Sequence, residues 1–272
     1  MKLTKPFGVL AAAMAVAISL TACSSPSTSD TKVAIGIKFD QPGLGLKEGD
    51  TYTGFDVEVA KYVAKELGYT DIEFKETPSA QRETMLQSDQ VTMIFATYSI
   101  TDDRKKKVSF AGPYFVAGQD LLVAADNTDI TGPDTLNGKK LCSVVGSTSA
   151  QKVKDNFADQ VQLKEYDTYS KCVEALASGA IDAVTTDNVI LAGFAAQPQY
   201  AGKFKVVGKT FSVERYGVGI KKGDTELCTK INTALQKMVS DGAWQKALDD
   251  TVGQSGFVPD AAVNPPTPDA CS

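Results

Sequence analysis

The residues of this chain best able to do chemistry are charged and hydroxyl groups at the ends of apolar runs. Residues 97–104 read TYSITDDR. There Thr97 and Ser99 offer hydroxyls, Asp102 and Asp103 suit a first helical turn, and Arg104 follows. An arginine can grip a carboxylate through two parallel hydrogen bonds; it can equally pair at the surface with Asp102 and Asp103. Gly146-Ser147-Thr148-Ser149 lies between a strand-like and a helix-like segment. Free amides and hydroxyls at such a junction favour an anion, and the same hydroxyls can simply cap the helix. Asp187 follows Thr185-Thr186 at another strand end, where its carboxylate can hold an ammonium ion or cap the next helix. Lys38, Ser79 and Arg82 come from separate segments and, taken singly, read as solvent-facing side chains that keep the protein soluble. All of this is binding chemistry. The chain has no histidine to shuttle protons and no evident carboxylate pair, so a hydrolytic or proton-transfer enzyme finds little support.

The elements that must position these residues follow from periodicity. Residues 32–39 alternate as a strand, 41–50 read as a glycine-rich loop, and 55–67 carry apolar side chains at helical spacing until Gly68. A strand at 71–75, a helix from 81–86 and a strand at 91–96 complete a first set. A second set repeats the rhythm: strand 138–145, helix 149–157, strand 161–166, helix 170–177, strand 180–185 and helix 188–195. Strands at 204–208 and 216–220 and helices at 225–240 and 243–248 follow. Residues 253–272 are rich in proline and glycine and read as irregular. Alternating strands and helices imply an α/β fold with largely parallel sheets, here two lobes with a cleft. In such folds ligands sit at the carboxyl ends of strands, which is where Lys38, residues 98–104, residues 146–148 and Asp187 fall.

The chain has 272 residues, 43% hydrophobic and 22% charged, with a formal net charge of −5. Lys2 and Lys5, an apolar run at 9–20 and Leu20-Thr21-Ala22 before Cys23 read as an export signal too short to span a bilayer. Without residues 1–22, which carry two lysines and no carboxylate, the net charge becomes −7. The dense basic run at 104–107 is flanked by Asp102 and Asp103, so no nucleic-acid partner is expected. Leu-Thr-Ala-Cys resembles the lipobox of bacterial lipoproteins, which implies a lipid on Cys23, a polar tether at 23–30 and an extracytoplasmic, membrane-anchored protein. Four cysteines remain, with three possible pairings. Cys142–Cys172 and Cys228–Cys271 are favoured, because each bond would be local or would pin the tail. A metal site lacks both CxxC spacing and histidine, and no cofactor is expected.

Taken together, TGFDVEVAKYVAKELG, ATYSITDDRKKKVSFAGPYF, VVGSTSAQKVKD, YDTYSKCVEALASGAIDAVTTDNVIL and RYGVGIKKGDTEL resemble, in content and order, the amino-acid-binding proteins of ABC importers. KFDQPGLGL, PSAQRET, LCSVVGST and EYDTYSKCVEAL are most similar to the actinobacterial glutamate-binding lipoproteins of that family. The resemblance covers essentially the whole chain after the leader. It implies a two-lobed periplasmic-binding-protein fold of type II: residues 31–115 and 216–272 in one lobe, 119–210 in the other, with hinge crossings near 115–118 and 211–215. It also implies a monomer that delivers its ligand to a permease.

Residue by residue, the resemblance assigns Arg104 to an α-carboxylate with Ser99 beside it. It assigns Asp187 to the α-ammonium, helped by the backbone near Thr97, and Ser147 and Thr148 to anion contacts from the second lobe. Lys38, Ser79 and Arg82 fall where the glutamate/aspartate branch receives the distal carboxylate. That branch commonly has arginine where Lys38 stands, and the glutamine branch an aromatic platform where Ser79 stands. Three cations against Asp187 suit glutamate, or aspartate, better than a neutral amide. Glutamine, asparagine or another polar amino acid is the alternative ligand; an enzyme or a sensory module on the same scaffold is the alternative class.

Overall fold

The structure is a computed structural model and describes residues 31–157 and 160–271. The expected leader at 1–22, Cys23 and the tether through residue 30 lie outside the described residues. No described helix is long and apolar enough to cross a membrane.

The chain opens with β1 (Lys32–Ile37), a small antiparallel meander β2 (Asp40–Gln41), β3 (Gly45–Glu48) and β4 (Thr51–Thr53), and then α1 (Phe55–Glu66). Next come β5 (Asp71–Glu76), α2 (Arg82–Gln87), β6 (Met93–Phe95), α3 (Asp102–Lys105) and β7 (Ser109–Ala117). The second region holds β8 (Gln119–Ala124), β9 (Lys140–Val144), α4 (Thr148–Phe157), β10 (Gln162–Tyr166), α5 (Tyr169–Ala177), β11 (Ala183–Asp187), α6 (Asn188–Ala195) and β12 (Phe204–Val206). The chain then returns through β13 (Glu214–Ile220) to α7 (Thr225–Ser240) and α8 (Ala243–Asp250).

Two five-stranded sheets result, in the orders β5-β1-β6-β13-β7 and β10-β9-β11-β8-β12. In each, four strands run the same way and one, β13 or β8, runs against them. The sheets are thus largely parallel, as expected, and the one reversed strand of each is the strand that has just crossed between lobes. The chain crosses out between β7 and β8 at Gly118 and back just before β13. The loop expected at 41–50 is mostly the meander.

The burial pattern explains the sheets. Val33, Ile35, Ile37, Met93 and Phe95 pack with α1 in one cluster, while Ile94 and Ala96 pack with Met85 and Leu86 of α2 in another. Successive side chains leave a strand on opposite faces, so both faces of the first sheet are covered. The second sheet repeats this: Leu121, Val123 and Leu141 pack with Val153 of α4, and Leu122, Cys142 and Val144 with Val173 of α5. Such strands read as continuous apolar runs rather than alternations.

Two disulfides staple the frame. Cys142–Cys172 joins β9 to α5, and Cys228–Cys271 ties the C-terminal tail to α7; both are the favoured pairings. The tail is irregular beyond a 3-10 turn at Val252–Ser255, but it is anchored. Asn264 bonds both the N–H and the C=O of Val116, each at 2.9 Å, and Asp269 pairs with Arg215 at 2.7 Å.

Candidate functional site

The nine candidate residues converge where the strand ends of the two lobes face each other. Ser79, Arg82 and Thr97 from the first lobe and Ser147, Thr148 and Asp187 from the second line one interior cavity. Lys38 follows β1 and donates from Nζ to Ser79 Oγ at 2.8 Å. Ser99 Oγ lies 3.5 Å from Thr148 Oγ1. Arg104 reaches the same place from α3, and a larger vestibule leads from it to solvent between Glu83, Asp103, Gln151 and Asp155. All nine are buried except Thr148, which is half-buried.

The arginines resolve one open alternative. Arg104 does not pair with Asp102 or Asp103; Asp103 instead bonds Lys106 at the surface. The Arg104 guanidinium donates to the carbonyls of Ser99 at 2.8 Å and Gly146 at 3.0 Å, with Glu83 at 3.6 Å. Arg82 donates to the carbonyls of Ser79, Ala96 and Gly146. Both guanidinium groups lie against the Tyr98 ring, at 4.2 Å for Arg82 and 4.9 Å for Arg104, an arrangement that holds planar cations in place. Burial, and then Arg104, bring the Arg82 guanidinium down to about 10, so it stays charged at neutral pH. Burial, and then the charge of Arg82, pull the Lys38 ammonium down to about 7.

The second lobe resolves two more. Ser147 caps α4, its Oγ accepting from the Ala150 N–H at 2.9 Å. Thr148 donates to Glu214 Oε2 at 3.0 Å. Asp187 precedes α6 but makes no side-chain cap. Its Oδ2 accepts from the Tyr216 hydroxyl at 2.6 Å, and its Oδ1 is buried with no hydrogen-bond partner. Burial, and then the charge of Glu214, raise its carboxyl to about 8. A buried acceptor left bare is costly, and it marks a place for a donor.

Several supporting residues lie inside the motif segments but receive no role from them, and contact singles them out: Tyr98 beneath the arginines, Tyr216 beside Asp187, and Asp56. Asp56 lies in the first turn of α1 and accepts from the Thr97 N–H and from the Tyr114 hydroxyl, each at 2.8 Å. It thereby holds Thr97 in a left-handed backbone conformation, φ 45°. Burial lifts the Asp56 carboxyl to about 6.

Contacts across the cleft show the lobes meeting. Lys152 of α4 pairs with Glu214 at 2.8 Å, and Asp40 accepts from the N–H and hydroxyl of Ser170 in the first turn of α5. Burial raises the Glu214 carboxyl, but Lys152, Ser99 and Ser212 outweigh it and hold the group below the ordinary glutamate value. Gly146 passes so near Ala80 that a Cβ would stand 2.7 Å from the Ala80 Cα, and its φ is +77°. Only glycine suits that approach.

Comparison with known proteins places this geometry. The family described as bacterial extracellular solute-binding proteins, family 3, matches residues 33–254. The glutamate-binding protein GluB of Corynebacterium efficiens is 46% identical, over 94% of this chain and 93% of its own. The ABC transporter glutamine-binding protein GlnH of Bacillus subtilis is 38% identical, over 79% of each chain. Among solved structures, an ancestral arginine-binding protein bound to glutamine superposes with a TM-score of 0.77 at 38% identity, covering 83% of this chain and 99% of that one.

Proposed function

Because the chain belongs to the bacterial extracellular solute-binding proteins, family 3, and so has that family's two-lobed fold, we propose that its ligand is an acidic amino acid, most simply L-glutamate. The carrying observation is the charge of the site. Lys38 and Arg82 are buried and pair with no carboxylate among the described residues, while in the same site Asp187 keeps one buried carboxyl oxygen without a hydrogen-bond partner. Buried charges without partners are strongly unfavourable. An amino acid with two carboxylates and one ammonium supplies the missing partners. Arg104 and Ser99 take the α-carboxylate, Asp187 and the backbone near Thr97 the ammonium, and Lys38, Ser79 and Arg82 the distal carboxylate. Ser147 and Thr148 close over it from the second lobe. The identity to GluB supports this reading.

The hinge of this proposal is the pair of crossings at 115–118 and 211–215. The lobes comprise residues 31–115 with 216–272, and 119–210. A lipid on Cys23 tethers the protein outside the membrane, beside an ABC permease that receives the ligand. Glutamine is the second reading, favoured by the likeness to GlnH and to the glutamine-bound ancestral protein.

A calorimetric screen of the twenty amino acids against the chain lacking residues 1–23 tests the ligand. Glutamate, or aspartate, should bind tightest. Tighter binding of glutamine would overturn the acidic reading. Metabolic labelling with a fatty-acid probe tests the anchor; label should appear on the wild type and vanish in Cys23→Ala.

A further inference from the structure

Tyr216 belongs to the first sheet, yet its hydroxyl donates to Asp187 of the second lobe. Both groups are buried. Its ring packs on Phe115 at 5.7 Å and Tyr114 at 6.3 Å, so the hydroxyl has little freedom to look elsewhere. Strand β13 is irregular just here, the register shifting between Tyr216 and Val218, and such bulges re-aim a side chain. The backbone of the same segment is bound to the carboxylate-facing turn. Ser99 bridges to Tyr216, the Ile100 N–H donates to the Arg215 carbonyl, and the Gly217 N–H donates to the Tyr98 carbonyl. One residue therefore touches both halves of the α-amino-acid clamp: the turn carrying Ser99 and Arg104 through its backbone, and Asp187 through its hydroxyl.

We propose that Tyr216 is the positioning residue of the ammonium site: it aims the Asp187 carboxylate, and because the two belong to different lobes, it does so only once the lobes have met. This rests on the reading of Asp187 as the ammonium partner. With Oδ2 occupied by Tyr216, Oδ1 is the oxygen left for the ligand. In the free site Asp187 is faced by Tyr216 and Glu214 from β13, Lys152 from α4, Arg104 from α3 and Tyr169 from α5. Among these the Tyr216 hydroxyl is the group bonded to it, and that bond favours the ionised carboxylate.

Tyr216→Phe keeps the ring and deletes the donor. The tightest-binding amino acid from the screen is titrated calorimetrically into wild type and Tyr216→Phe, from pH 6 to 9. Affinity at neutral pH should fall on the order of tenfold in Tyr216→Phe, the effect of losing a hydrogen bond to a charged group. Glutamate and glutamine should lose equally, since they present the same ammonium. The loss of affinity on acidification should begin at higher pH in Tyr216→Phe than in wild type. A Tyr216→Phe protein with the wild-type pH profile overturns the proposal, even if its melting temperature is lower. If glutamine binds tightest, the acidic-ligand reading fails while the Tyr216 test proceeds unchanged. If no amino acid binds the wild type, both fall together.

Discussion

Arg82 and Arg104 lie on one tyrosine ring and both reach the Gly146 carbonyl, yet they should answer to different ends of the ligand. Arg104→Met should weaken glutamate and glutamine alike, by about 3–5 kcal/mol, the scale of breaking a buried charge pair. Arg82→Met should weaken glutamate far more than glutamine, so the ratio of the two dissociation constants reports the distal pocket. Using the ratio matters, because Arg82 also bonds three carbonyls that its loss would strand. An unchanged ratio in Arg82→Met would place the distal carboxylate elsewhere. Two further residues set the pH dependence, with opposite signs. Asp187, raised to about 8 in the free site, must lose a proton to hold an ammonium. Binding then releases protons below that pH, and affinity rises with pH. Lys38, lowered to about 7, must gain a proton to face a carboxylate. Binding then takes protons up above that pH, and affinity falls as pH rises, each limb by at most about tenfold per pH unit. Between pH 6 and 9, before the ligand's own ammonium loses its proton, glutamate should therefore show a bell, and Lys38→Met should retain only the rising limb. Calorimetry in buffers of different ionisation enthalpy counts the protons directly; a falling limb that survives Lys38→Met would remove the lysine from the site.

The elements carry the site at their ends, and their legibility in sequence depended on which forces shape them. Helix α1 is visible because its buried face recurs at helical spacing and Gly68 ends it, and the strands before Lys38, Gly146 and Asp187 are visible as apolar runs. The meander at β2–β4 is hidden by its own composition, since short strands holding Asp, Gly, Lys and Thr resemble a loop. Strands β7 and β8 are marked in sequence only by the crossing between them: Gly112-Pro113 interrupts the run, and burial on both faces removes the alternation. Motif order assigns roles to the nine candidate residues, whereas Tyr98, Tyr216 and Asp56, although inside the same segments, receive none from it. An aromatic or acidic residue inside an apolar run looks like core until its partner from another segment is known. The disulfide at Cys142 tests the separation of frame from site. It holds β9 to α5, and β9 leads directly into Gly146 and Ser147. Cys142→Ser should lower unfolding stability by about 2–5 kcal/mol. The glutamate-to-glutamine ratio should hardly move, because no ligand-facing group changes. A shifted ratio would mean that the staple tunes the pocket itself.

At the scale of the whole molecule, the proposed function predicts that binding and folding come apart, since the ligand would act on how the two lobes meet. Gly193 shows where. It lies within α6 of the second lobe, and a Cβ there would stand 2.2 Å from the Pro42 carbonyl oxygen in the first lobe. That oxygen belongs to backbone, so it cannot swing aside as a side-chain tip would. Within its own helix the same methyl is welcome, alanine being about 1 kcal/mol better than glycine in a helix interior. Gly193→Ala should therefore leave the ligand-free melting temperature unchanged or slightly higher, while weakening every ligand. A ligand shifts the open–closed equilibrium only by its preference for the closed form, and the added methyl withdraws that preference without touching a binding group. Glutamate and glutamine should lose affinity by equal factors. Small-angle scattering should show the ligand-induced contraction of the wild type reduced in the variant. A variant that binds and contracts like wild type would mean that the Pro42 loop gives way, and that closure is set elsewhere, at Lys152–Glu214 or at Asp40–Ser170.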